Sequence, residues 1–135
     1  MRLVLDRREE VAAWVAAHLG IAHFDEPYQA IGFERSGQLV GGHVYEGMTE
    51  HDIRIHIAGS GAVARGSCRV FWDYVFNQLK RKRVTAIIRS RNDRMRSIVE
   101  RLGFQREGEC RLYFGDDNAV IYGLLADEAS PWMRT

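Results

Sequence analysis

From Asp52 to Phe104 the chain reads DIRIHIAGSGAVARGSCRVFWDYVFNQLKRKRVTAIIRSRNDRMRSIVERLGF, and this stretch decides the fold. Ile53, Ile55 and Ile57 alternate with Asp52, Arg54 and His56, the two-residue period of a strand with one apolar and one ionisable face. Gly59-Ser60-Gly61 ends it, and Gly66 precedes apolar residues at helical spacing: Val70 and Tyr74; Phe71, Val75 and Leu79; Trp72 and Phe76. A loop whose last glycine opens a helix leaves backbone N–H groups unpaired at the positive end of the helix dipole, an anion site for which phosphate is the expected guest. A second strand is expected over Arg83 to Arg89. Asn92-Asp93 then starts a helix that Gly103 closes in the left-handed conformation.

Working outward, Arg2-Leu3-Val4-Leu5 opens the chain as a short strand, and Asp6 with Glu9 forms a capping-box pattern ahead of a helix striped by Val11, Trp14, Val15, Ala17 and Leu19. Tyr28 to Glu34 and Leu39 to Tyr45 pair as a hairpin around Ser36-Gly37; Gly41-Gly42 within its second arm points to a bulge or a close approach. Past Gly103, Phe104 to Phe114 reads as two extended stretches interrupted at Gly108. A Gly115-Asp116-Asp117-Asn118 turn and a closing strand over Ala119 to Leu125 follow. At 135 residues the expectation is one domain over 1–126 with a loose tail over 127–135.

The order strand, glycine loop, helix, strand, then Asn92 followed by Glu100-Arg101-Leu102-Gly103-Phe104, resembles the core of the GCN5-related N-acetyltransferases, the GNAT superfamily. The resemblance covers Asp52 to about Phe104 by motif and the flanks by element order. It implies an α+β fold: a mixed, mostly antiparallel sheet with splayed central strands and helices on both faces. It implies acetyl-CoA as co-substrate, with Ile57 and Ala58 pairing with the pantetheine arm, Ala64, Arg65, Gly66, Ser67 and Cys68 at the pyrophosphate, and Asn92 on the pantetheine from the far side. Arg65 and Arg94 are candidate charged donors to phosphate. Two positions depart from the family pattern: Val63 stands where the phosphate loop often has Gln or Arg, and Val99 stands where many members carry the tyrosine that protonates the departing thiolate.

For removal of the amine's proton His56 is the first candidate, because an imidazole titrates near neutrality and shares a strand face with Asp52; a histidine there could equally serve only to pair with its neighbouring strand. His43 and Asp52 are weaker candidates. His51 falls on the opposite strand face, so no metal site is expected.

Composition bounds the remaining classes. With 46% hydrophobic and 27% charged residues the chain is of ordinary globular type, no apolar run approaches the roughly 18 residues a membrane helix needs, and the N-terminus lacks a signal-peptide core. A cytoplasmic location without membrane contact is expected, with Cys68 and Cys110 as free thiols. Net charge is only +1, yet Lys80 to Arg106 holds ten basic residues against Asp93 and Glu100, a local +8 that leaves −7 elsewhere. The functional expectation is an acyl-CoA-dependent N-acyltransferase for a small-molecule or peptide primary amine, with a homodimer as the candidate assembly. The alternatives are a nucleic-acid-associated protein using the basic stretch, and a GNAT-like domain that binds CoA without catalysis.

Overall fold

The computed structural model describes residues 1–134. Seven strands, β1 (Arg2–Val4), β2 (Tyr28–Arg35), β3 (Gln38–Glu46), β4 (Arg54–Ala58), β5 (Arg83–Arg89), β6 (Gln105–Cys110) and β7 (Ala119–Leu125), form one sheet in the order β1-β2-β3-β4-β5-β7-β6. Every neighbouring pair is antiparallel except β4 and β5, which are parallel because a helical crossover joins them. The fold class is therefore the one expected, α+β with a mostly antiparallel sheet.

Strand alternation sends side chains to two cores. Ile55 and Ile57 of β4, Val84, Ala86 and Ile88 of β5, and Val120, Tyr122 and Leu124 of β7 face one layer, built by α2 (Arg65–Trp72) and α3 (Asp93–Leu102). Ala58 and Val44 face the other, under Val11, Ala12, Val15 and Ala16 of α1 (Arg8–Leu19). Helix α1 packs on β2, β3 and β4, so it leaves the same face of β5 uncovered.

The hairpin between β2 and β3 turns at Ser36 and Gly37, both at positive φ, as a two-residue connection requires. Gly41 and Gly42 mark close approaches: a Cβ on Gly41 would collide with the Ala62 nitrogen, and one on Gly42 would lie 2.6 Å from Val15 Cγ2. Gly103 closes α3 at φ 114°.

Four local expectations are corrected. The cap of α1 is Arg7, not Asp6, and it makes no side-chain cap bond; Arg7 instead ion-pairs with Glu10 at 2.9 Å and Glu34 at 2.6 Å. The helix after Gly66 widens from α to π geometry over Asp73–Gln78. Only one strand, β6, lies between α3 and the turn, bulged between Arg106 and Gly108. The tail is docked: Ala129 and Met133 are buried against α2 and α3, Ser130 N–H bonds the Leu102 carbonyl at 2.9 Å, and Arg69 donates to the Trp132 carbonyl at 3.0 Å. Apolar Ala129 and Met133 cover surface that a loose tail would leave bare.

Candidate active site

The two parallel strands pair only at Arg54↔Thr85 and Ile55↔Ala86, then part. Opposite tethers open them. The end of β4 runs into a short 3-10 turn, Ser60–Ala62, that folds back on β3, where His43 Nε2 lies 2.8 Å from the Ala62 carbonyl. The end of β5 is drawn the other way: Ser90 N–H bonds Asn118 at 2.9 Å, Arg91 N–H bonds the Asp117 carboxylate at 3.0 Å, and Arg89 pairs with Asp116 at 3.0 Å. Since Thr85 N–H donates to the Ile53 carbonyl, alternation turns the backbone polar groups of Ile57 toward the opening and those of Ala58 toward β3. Of the two expected there, Ile57 is thus the one with an unpaired strand edge.

A cavity of about 590 Å³ occupies the opening and the uncovered sheet face beside it. Its lining brings together His56, Glu46, Arg54 and Ile57 from the sheet, Ile21 and Phe24 from the segment after α1, Asn92 at the cap of α3 and Met95 within it, and Tyr113 and Phe114 from the turn before β7. His56 is 15% exposed and its Nε2 has no hydrogen-bond partner; Glu46 Oε2 lies 3.5 Å away, and the Phe24 ring packs 4.8 Å from the imidazole. His56 and Arg54, which donates to Glu46 at 2.6 and 3.2 Å, hold the Glu46 carboxyl down at about 2, so it is anionic at any working pH.

Asp52 is not the carboxylate beside His56. Thr85 donates to it at 2.9 Å and Arg83 pairs with it at 3.4 Å, and it does not line the cavity. Glu46 takes that place because β3 and β4 are registered with Glu46↔Arg54 and Val44↔His56, which sets position 46 on the same face as 54 and 56. The sequence reading ended the second hairpin arm at Tyr45 and so passed over Glu46; extending the hairpin register one strand further was the signal that could have found it. His43 is wholly buried between the sheet and α2, and His51 is exposed.

At the start of α2, Gly66 is open to solvent and the helix has no acidic residue in its first turn and no side-chain cap. The N–H groups of Arg65, Gly66 and Ser67 have no carbonyl four residues back within the helix. Cys68 differs, since its N–H already bonds the Ala64 carbonyl at 3.0 Å. The Ser67 hydroxyl donates to the Gly61 carbonyl, and the Cys68 thiol, pushed up to about 11 by burial, meets the Val63 carbonyl at 3.6 Å. Both side chains therefore brace the loop from within. The Arg65 guanidinium lies 4.6 Å over the Trp132 ring. Asn92 caps α3 by accepting from Met95 N–H at 3.2 Å, so its oxygen is engaged. Val99 is fully buried, and no proton donor stands in its place.

Part of the basic stretch is answered by acids: Arg83 by Glu107 at 2.8 Å and Arg89 and Arg91 by Asp116 at 3.0 Å each, from segments further along the chain, and Arg106 by Glu109 at 2.6 Å within β6. Among the described residues no helix is long and apolar enough to cross a membrane.

A family model described as an acetyltransferase (GNAT) domain matches residues 5–105. Among solved structures, a probable acetyltransferase shares 22% identity over 75% of this chain and 63% of its own, with a TM-score of 0.62. The ribosomal-protein-S5-alanine acetyltransferase from Vibrio fischeri shares 19% over 77% and 63%, with 0.63. The spermidine/spermine N-acetyltransferase SpeG from Vibrio cholerae shares 16% over 76% and 69%, with 0.66. The chain thus spans less than two-thirds of the length of the first two. No curated protein matches its sequence.

Proposed function

Because the chain belongs to the acetyltransferase (GNAT) family, we propose that it is an acetyl-CoA-dependent N-acetyltransferase acting on a primary amine, with His56 as the base and Glu46 as the residue that steadies its charge. The observation that carries the reading is His56 Nε2, unpartnered and 3.5 Å from an ionised carboxylate, on the wall of the opening between β4 and β5.

Acetyl-CoA supplies the acyl thioester. Ile57 offers an open strand edge to the pantetheine arm, and the N–H groups of Arg65, Gly66 and Ser67, with the Arg65 guanidinium, suit a diphosphate. His56 takes a proton from the acceptor's ammonium, and Glu46, held anionic, favours the imidazolium that results. The freed amine attacks the thioester carbon, the C–N bond forms, the C–S bond breaks, and the thiolate takes its proton from solvent, since Val99 offers none.

A second reading, a domain that binds CoA without turning it over, is favoured by Val99. One experiment separates the two: calorimetric titration with CoA alongside thiol release from acetyl-CoA over an amine panel. The expected result is binding by the wild type and by His56→Ala, with turnover in the variant lowered on the order of 100-fold. Turnover unchanged in His56→Ala removes the histidine from the mechanism; binding with no turnover by the wild type selects the second reading.

A further inference from the structure

Resting on the acyltransferase reading, we propose that the acceptor is a small monoamine carrying an apolar, preferably aromatic, body, recognised by one ammonium site and an aromatic wall. Polyamines are excluded by the charges around the cavity. Of the other carboxylates around it, Glu26 is answered by Arg8 and Asp116 by Arg89 and Arg91, which leaves Glu46, whose Oε1 takes Arg54 while its Oε2 lies 3.5 Å from His56 Nε2. Asp25 sits 3.0 Å from His23 with its side chain 90% exposed. A chain bearing several ammonium groups would lose hydration along its length and meet one usable anionic position, at Glu46.

The apolar side of the cavity begins at the base itself. Phe24, buried, packs against the His56 ring, and Ile21 precedes it on the same segment. From a second segment come Tyr113 and Phe114, whose rings meet edge to face at 5.0 Å. The Arg89 guanidinium stacks on Phe114 at 4.3 Å and fixes that ring. Tyr113, by contrast, lines the cavity while remaining 54% exposed, so much of its aromatic surface is left uncovered by the contact with Phe114. An ammonium at Glu46 and His56 with a ring reaching toward Tyr113 covers that surface and leaves no second charge unpaired.

The test compares 2-phenylethylamine, ethylamine, spermidine and a peptide with a free N-terminal alanine as acceptors, in the wild type and in Tyr113→Ala, with 2-phenylethylamine binding also read by calorimetry on the CoA-loaded protein. Expected is a kcat/KM for 2-phenylethylamine at least roughly 10-fold above those for spermidine and ethylamine. In Tyr113→Ala that advantage over ethylamine shrinks roughly 10-fold, as loss of an aromatic contact predicts. Tyr113 is exposed, so the variant keeps its fold, and a thermal melt verifies this. Preference for spermidine or the peptide overturns the inference, as does an equal loss for both monoamines. CoA binding with no turnover or binding of 2-phenylethylamine overturns it too, leaving the CoA site intact; absence of CoA binding brings down the acyltransferase reading itself.

Discussion

His43 offers the sharpest thermodynamic test of how the loop before α2 is held. Its ring is buried among Phe33, Tyr45 and Phe71, with Nε2 2.8 Å from the Ala62 carbonyl and Nδ1 3.1 Å from the Tyr45 hydroxyl. A carbonyl only accepts, so Nε2 carries the proton, and Nδ1 accepts from Tyr45. Burial lowers the imidazole from its ordinary 6.5 to about 4. Because the folded value lies below the unfolded one, the unfolded chain takes up the proton first. The stability this neutral ring confers is complete above about pH 6.5 and is lost as pH falls toward 4. At about 1.4 kcal/mol per pH unit across that window, the loss totals about 3 kcal/mol. Urea unfolding of wild type and His43→Leu at pH 7.5, 6.5, 5.5 and 4.5 isolates the effect, since every other titrating group is common to both. The wild-type advantage, about 1–3 kcal/mol at pH 7.5 from the hydrogen bonds that leucine cannot make, should shrink steadily below pH 6.5 and reverse or vanish near 4.5. A gap constant to within about 0.5 kcal/mol across the series refutes the assignment of a buried neutral imidazole under the Ala62 turn.

Two further outcomes follow from packing. Gly41→Ala drives a methyl into the Ala62 nitrogen and should cost at least about 2 kcal/mol in chemical denaturation, whereas Gly66→Ala meets open space at a helix start and should leave stability unchanged or raise it by about 0.5 kcal/mol. Equal destabilisation by both would contradict the placement of the turn against β3. Met133→Ala should lower stability by about 2–5 kcal/mol and the melting temperature with it, because the side chain is buried in the core under the turn that packs on α2; a change under about 0.5 kcal/mol would mean the tail is detached in solution.

Much of this molecule is local information. The alternation of Ile53, Ile55 and Ile57 with Arg54 and His56, the glycine loop before α2, and Gly103 at the end of α3 each depend on residues a few positions apart, so period and turn chemistry suffice to place them. Gly41-Gly42 was legible as a close approach, though not as to what approaches: the Ser60–Ala62 turn on one face and Val11 and Val15 on the other belong to segments distant in sequence. The same limit governed the site. His56 could be proposed from its strand face and ring chemistry, but the choice between Asp52 and Glu46 as its companion could not be made from spacing. Asp52 is nearer along the chain and just precedes the same strand, yet Thr85 and Arg83 from β5 claim it.

What the order of residues determined by itself, then, is the succession of strands and helices and the apolar or ionisable character of each strand face, because backbone sterics and side-chain period act over a handful of residues. Only the tertiary structure decided the register that sets Glu46 beside His56, the docking of the tail, and the pairing of Arg83, Arg89 and Arg91 with Glu107, Asp116 and Asp117. Those are contacts between distant segments, and their partners are selected by burial and charge once the sheet has closed.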